Sequence, residues 1–240
     1  MSHEPKRAAG RFALILLFSL LPAAVLSGGD SEAAGDDTAD PDAAERDAQS
    51  HYHEAVAKSE RLEESPCRHM ASLDSLFEQL RQAVEKDESY RLRALEDPRL
   101  AFARSYYRFY RALGFDPDDE RDLQRIVEGL TWYGADRGVW PPEFEIRFDA
   151  ERATIRLLEV KSEDGNTRVG YRAFEGTYRR TDKRIEIRLA EPLPSAANNG
   201  LRLHPALAGR RVLTLTFAEG ALSLPGYDRE IDSEPGRCSA

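Results

Sequence analysis

Hydrophobic positions fall into three regimes along the chain. A near-continuous apolar run occupies Phe12 to Leu26, broken only by Ser19 and Pro22. From His51 to about Trp132 apolar residues recur every three or four positions, and after Trp140-Pro141-Pro142 they alternate. Between the first two regimes, Gly28 to Ser50 contains no large apolar residue at all.

The second regime predicts helices. Ser65-Pro66, Asp97-Pro98 and Asp116-Pro117 each place a capping oxygen before a proline, which suits a helix start. Met70, Leu73, Leu76, Phe77, Leu80 and Val84 form one stripe on the helix after Ser65. Leu100, Phe102, Ala103, Tyr106, Tyr107, Phe109, Tyr110 and Leu113 mark the next, which stops at Gly114. Leu123, Ile126, Val127 and Leu130 mark a fourth, with acids Asp118 to Glu120 at its positive end and a stop near Gly134. A further helix over 51–64 precedes them.

The third regime predicts strands at 143–149, 153–160, 168–179, 183–190, 211–218 and 221–224, with turns at Asp149-Ala150-Glu151, Asp164-Gly165-Asn166, Arg180-Thr181-Asp182 and Glu219-Gly220. Only 191–210 is a long connection. Short links make neighbours antiparallel, so the expected fold is α+β. An N-terminal helical subdomain (51–140) packs on a C-terminal antiparallel β-meander (141–240, with a terminal tail) that is either a small barrel or a curled sheet. The strand part, with Phe174-Glu175-Gly176-Thr177-Tyr178 before one hairpin and Leu213-Thr214-Leu215 before another, loosely resembles in shape the small lipocalin-like barrels of exported bacterial proteins. That likeness covers about a third of the chain, carries no diagnostic motif and implies shape only.

Composition changes the picture at the amino end. The 240 residues carry a formal charge of −9, with 41% hydrophobic and 32% charged positions and two cysteines, which excludes collagen-like, disulfide-dense and multi-span membrane proteins. Eight acids against Arg46 lie in 28–50, so the acidity is concentrated there. Lacking apolar surface to offset chain entropy, residues 29–50 are expected to be a disordered linker. Lys6, Arg7 and Arg11 before the apolar run make residues 1–28 an expected export signal, cut near Val25-Leu26-Ser27 or Ser31-Glu32-Ala33, with an uncleaved anchor as the alternative. Removal leaves no stable membrane span. The expected address is periplasmic or secreted, where Cys67 and Cys238 form one disulfide; a reactive Cys67 thiol at a helix start is the other reading.

Candidate chemistry is sparse. His51-Tyr52-His53-Glu54 looks like a metal fragment, but histidines two apart share a face only in an extended segment, so no metal site is expected. Asp116-Pro117-Asp118-Asp119-Glu120 has Arg121 where a calcium loop needs glycine and reads as a helix cap. Gly-x-Ser-x-Gly, a phosphate loop and His-Glu-x-x-His are absent, and no catalytic residue or cofactor is assigned. His204 on the long loop is the one candidate base. Arginine outnumbers lysine about sixfold. Arg147, Arg156, Arg172, Arg179, Arg180, Arg184 and Arg188 in the strands suggest either a basic face for anionic ligands or envelope polymers, or, given the interleaved acids, a solvated paired face. Nucleic acid is disfavoured by the acidic whole and by export. Trp132, Trp140 and Tyr171 near the helix–strand junction are the candidate ligand-binding residues. The expected role is an exported, non-enzymatic binding or accessory protein for an unknown small ligand or envelope protein. A structural module of an envelope assembly is the second reading, and a hydrolase without a recognisable motif the third.

Overall fold

The computed structural model describes residues 41–135, 140–163, 166–196 and 200–234. The expected signal over 1–28, the first part of the acidic linker, and Cys238 lie outside the described residues. The described residues form one compact unit.

Helices come first. They are α1 (Pro41–Glu64), α2 (Pro66–His69), α3 (Leu73–Lys86), α4 (Ser89–Glu96), α5 (Tyr107–Ala112) and α6 (Glu120–Gly129), with single 3-10 turns at Met70–Ser72, Pro98–Leu100 and Ala103–Ser105. Two departures from expectation stand out. The first helix starts at Pro41, so its first turns occupy the stretch expected to be linker. That stretch is rich in alanine, the best helix former, and Ala48 is fully buried in line with Tyr52, Ala55 and Leu62. The helix expected to run to Gly114 is broken instead: Tyr106 has extended geometry (φ −110°, ψ 136°), leaving α5 only six residues long. The aromatic spacing still serves packing, because the break turns Tyr106 onto Phe77 and Phe102 while Tyr107 meets Phe217 edge-on. Of the proline-marked starts, Ser65 makes no side-chain cap and Asp97 caps a 3-10 turn. Asp119, not Asp116, caps α6, accepting from the amides of Arg121 and Asp122.

Eight antiparallel strands then pair in chain order and close into a barrel: β1 (Thr131–Gly134), β2 (Phe144–Asp149), β3 (Arg152–Glu163), β4 (Asn166–Thr181), β5 (Arg184–Leu189), β6 (Val212–Ala218), β7 (Ala221–Ser223) and β8 (Ile231–Asp232). The α+β class stands, and the sheet is a closed barrel. Six strands match the alternating segments. The short β1 and β8 do not, and they supply the closure: Gly134 pairs with Ile231, and β8 pairs in turn with β7. Strand structure therefore starts at Thr131, inside the region expected to be helical.

Alternation places Trp132, Ile146, Phe148, Ile155, Phe174, Ile187, Leu215 and Phe217 inside, all under a tenth exposed. Both ends of this filled interior are covered. At one end, α6 supplies Gln124 and Glu128 to the Tyr178 hydroxyl, which accepts at 2.5 Å and donates at 2.7 Å, while Arg180 donates to the Glu120 carbonyl at 2.8 Å. At the other, the 190–211 connection buries Leu193, Leu201 and Leu207. It is stitched to β3 by the Val160 amide donating to Gly200 at 2.9 Å and the Arg202 amide donating to Leu158 at 2.7 Å. Helical and barrel side chains share one continuous core.

Candidate functional site

The register of β1 to β4 determines which candidate aromatics meet. Trp132 opposes Ile146 and points inward; it is fully buried, its indole N–H donates to the Val127 carbonyl at 3.1 Å, and its ring meets Phe217 edge-on. It shares no surface with Trp140 and Tyr171. Its neighbour Tyr133 faces out, opposite Glu145, which in turn opposes Arg156. The Tyr133 and Trp140 rings are 6.0 Å apart, and Trp140 is 46% exposed. Tyr171, two positions along β4 from Ala173, the partner of Arg156, lies under the Arg156 guanidinium at 4.9 Å and donates its hydroxyl to the Pro142 carbonyl at 3.3 Å. Burial, with the nearby Glu145 carboxylate adding to it, pushes the Tyr171 hydroxyl up to about 12, so it stays a donor at neutral pH. Glu145 itself is buried on this outer wall, accepting from Arg156 at 2.8 Å. Two of the three predicted aromatics thus form an outer platform around an Arg156–Glu145 pair. Of the junction aromatics, Tyr133 and not Trp132 belongs to this wall, one step of the alternation away.

Beyond this platform, toward the helical end, the same wall dips into a groove of about 580 Å³. Its rows follow from the pairing: Arg147–Thr154–Glu175 across β2, β3 and β4, then Asp149–Arg152–Thr177–Arg188 reaching β5. Short Thr154, Thr177 and Ala190 make the floor, and Arg147, Arg152, Arg188 and Arg211 rise around it. Arg211 is fixed by donating to the Leu189 and Ala190 carbonyls at 3.3 and 3.1 Å. Arg188 pairs with Glu186 at 3.5 Å and Arg147 approaches Glu145 at 3.9 Å, both outside the groove. The Arg152 side chain makes no ion pair or hydrogen bond among the described residues, even though Asp149 opposes it. The groove lining thus carries four arginines against two acids, Asp149 and Glu175, while Glu145 and Glu186 at its margin pair with two of those arginines. Elsewhere pairing does occur: Arg172 bonds Glu159, and Arg180 lies 3.6 Å from Glu120.

The other candidates resolve into structural roles. A second groove of about 670 Å³ between α4 and α6 is charge-matched, with Arg91 bonded to Asp122 at 2.8 Å and seated 4.1 Å over Phe115. His51 meets Gln79 at 2.7 Å and Asp47 at 3.4 Å on α1, and no cluster of metal-ligating side chains occurs among the described residues. His204 accepts from the Ala206 amide at 3.1 Å, lies 3.7 Å from the exposed Asp228 carboxylate, and packs edge-on against Tyr227, with no nucleophile among these contacts. No helix among the described residues is long and apolar enough to cross a membrane. The fold and the wall together define a filled, closed antiparallel barrel with an arginine groove on its outside. Compared with protein-family models, curated proteins and solved structures, the chain matches none.

Proposed function

We propose that the chain is an exported, non-enzymatic binding protein that holds an anionic partner on the outer wall of its barrel. The observation that carries this reading is the groove in which four guanidinium groups surround a floor of short side chains with only two acids between them, Arg152 making no ion pair among the described residues. Arginine is suited to such a surface because its planar fork binds carboxylate or phosphate through two parallel hydrogen bonds. A barrel interior filled by aliphatic and aromatic side chains supports an outside site rather than an enclosed one. The charged, basic start before the apolar run supports export.

A Cys67–Cys238 bridge belongs to the same reading. Cys67 is not a free thiol. Arg108 ties Glu234, the last described residue, at 2.9 Å and also bonds Asp74 at the start of α3. Glu234 therefore stands close to the helices that follow Cys67. Four more residues extend up to roughly 13 Å.

Titration calorimetry at low ionic strength against carboxylated, phosphorylated and sulfated oligomers tests the binding role. At least one class is expected to bind, with affinity falling as salt rises, and the double variant Arg152→Ala/Arg188→Ala is expected to lose about tenfold or more. Retention of full affinity by that variant, or no binding of any class, overturns the proposal.

The projecting part of the β3–β4 hairpin favours the second reading, a module of an envelope assembly. There Val160 pairs with Val169, which is 56% exposed.

A further inference from the structure

We propose that the partner in the groove is an acidic glycan, a chain of sugar rings bearing carboxylates, lying along β3 and β4 from the aromatic platform into the arginine groove. This inference rests on the anion-binding reading and deepens it by naming the ligand's chemistry.

The platform and the groove are consecutive rows of one wall. Tyr171 and Leu158 form the first, Glu145 and Arg156 the second, then the two rows of the groove. Rows two residues apart stand roughly 6.6 Å from one another, so Tyr171 to Thr177 spans roughly 20 Å. A ligand that uses the whole strip presents a flat apolar face at one end and negative charge at the other. Sugar rings have such faces, lined by C–H groups, and these pack on flat aromatic surfaces such as the half-exposed Trp140 and the partly exposed edge of Tyr171.

The two unmatched carboxylates choose among anions. Asp149 and Glu175 stand between the arginines without a salt bridge among the described residues. A polyphosphate chain brings only oxygen acceptors to these positions and is repelled by them. A uronate ring brings a carboxylate for Arg152 or Arg188 and, beside it, hydroxyl donors for Asp149 and Glu175, with the Thr177 hydroxyl available to either. A peptide that binds by adding a strand needs a free sheet edge. Here β2 to β5 present a face whose backbone groups are already paired within the ladders.

Tryptophan fluorescence offers a direct readout, because the chain has two tryptophans and Trp132 is sealed inside. The full exported chain is titrated with tetragalacturonate, its neutral methyl ester, a short polyphosphate and a single-stranded oligonucleotide. The uronate is expected to bind and perturb the emission, and the ester to bind at least about tenfold more weakly. Trp140→Phe is expected to abolish the signal, with Trp140→Ala weakening calorimetric affinity. Asp149→Asn/Glu175→Gln is expected to weaken uronate binding while strengthening polyphosphate binding. If polyphosphate or the oligonucleotide binds and the uronate does not, the glycan assignment falls and the anion-binding reading survives. If no anion binds, both fall. If the uronate binds equally well to the Trp140→Ala and Asp149→Asn/Glu175→Gln variants, the strip is not its site.

Discussion

At the residue scale, Asp97 shows how one carboxylate can organise a junction. It accepts the Tyr52 hydroxyl at 2.8 Å from α1, caps the following 3-10 turn, and takes the Arg99 side chain in two bonds of 3.0 and 2.7 Å. Its side chain is only 7% exposed. The Arg99 guanidinium, helped by Tyr52, holds its carboxyl down to about 2. A carboxyl depressed in the folded chain adds stability above its unfolded pKa of ~4, and that stability disappears as pH falls toward 2. The contribution is about 2 kcal/mol. Between about pH 5 and pH 2 the wild-type unfolding free energy is therefore expected to drop by that much more than that of Asp97→Asn, as measured by urea titration across pH. Parallel pH profiles for the two proteins count against the ionic network. Trp132 and Tyr133 carry the complementary lesson. Their composition marked the junction as aromatic, but alternation about a strand too short to recognise decided which ring faces inward.

At the scale of elements, the hairpins were legible because alternation and turn residues reinforce each other. The observed turns bear this out: Ala150, Asp182 and Glu219 all sit at positive φ, and the strand ends that adjoin them lie within two residues of the expected limits. The broken helix over 98–113 was not legible, since its apolar spacing satisfies a helix and the kink at Tyr106 arises only from packing. Contact between elements also separates two glycines with similar backbones. Gly114 ends α5 at φ +77° with open space around an added Cβ, whereas Gly220 in the β6–β7 turn, at φ +87°, would place that Cβ 2.4 Å from the Tyr107 ring. Gly114→Ala is expected to cost about 1 kcal/mol, from the left-handed backbone alone. Gly220→Ala should cost about 2–3 kcal/mol, because the hairpin must also part from α5. Chemical denaturation of both variants checks the difference, and equal losses would show that the hairpin–helix contact does not matter.

At the scale of the whole molecule, stability depends on contacts distant in sequence: β1 with β8, Arg108 with Glu234, and the proposed Cys67–Cys238 bridge. Such a bridge restricts nearly the entire unfolded chain. Reduction, or Cys67→Ser, is expected to remove about 2–4 kcal/mol, and the protein prepared under oxidising conditions is expected to take up no alkylating agent until reduced, as read by intact mass. Uptake at both thiols without reductant refutes the bridge. The order of helices before strands, the six alternating strands with their short turns and one long connection, and the aromatic and arginine content of the wall were determined by the sequence alone, because local periodicity and turn chemistry are local properties. Closure of the barrel, the inward turn of Trp132, the filling of its interior and the gathering of Arg147, Arg152, Arg188 and Arg211 into one groove were decided by tertiary structure. Two- and four-residue strands carry no readable period, and which side chains stand together on a wall depends on register between segments far apart in the chain.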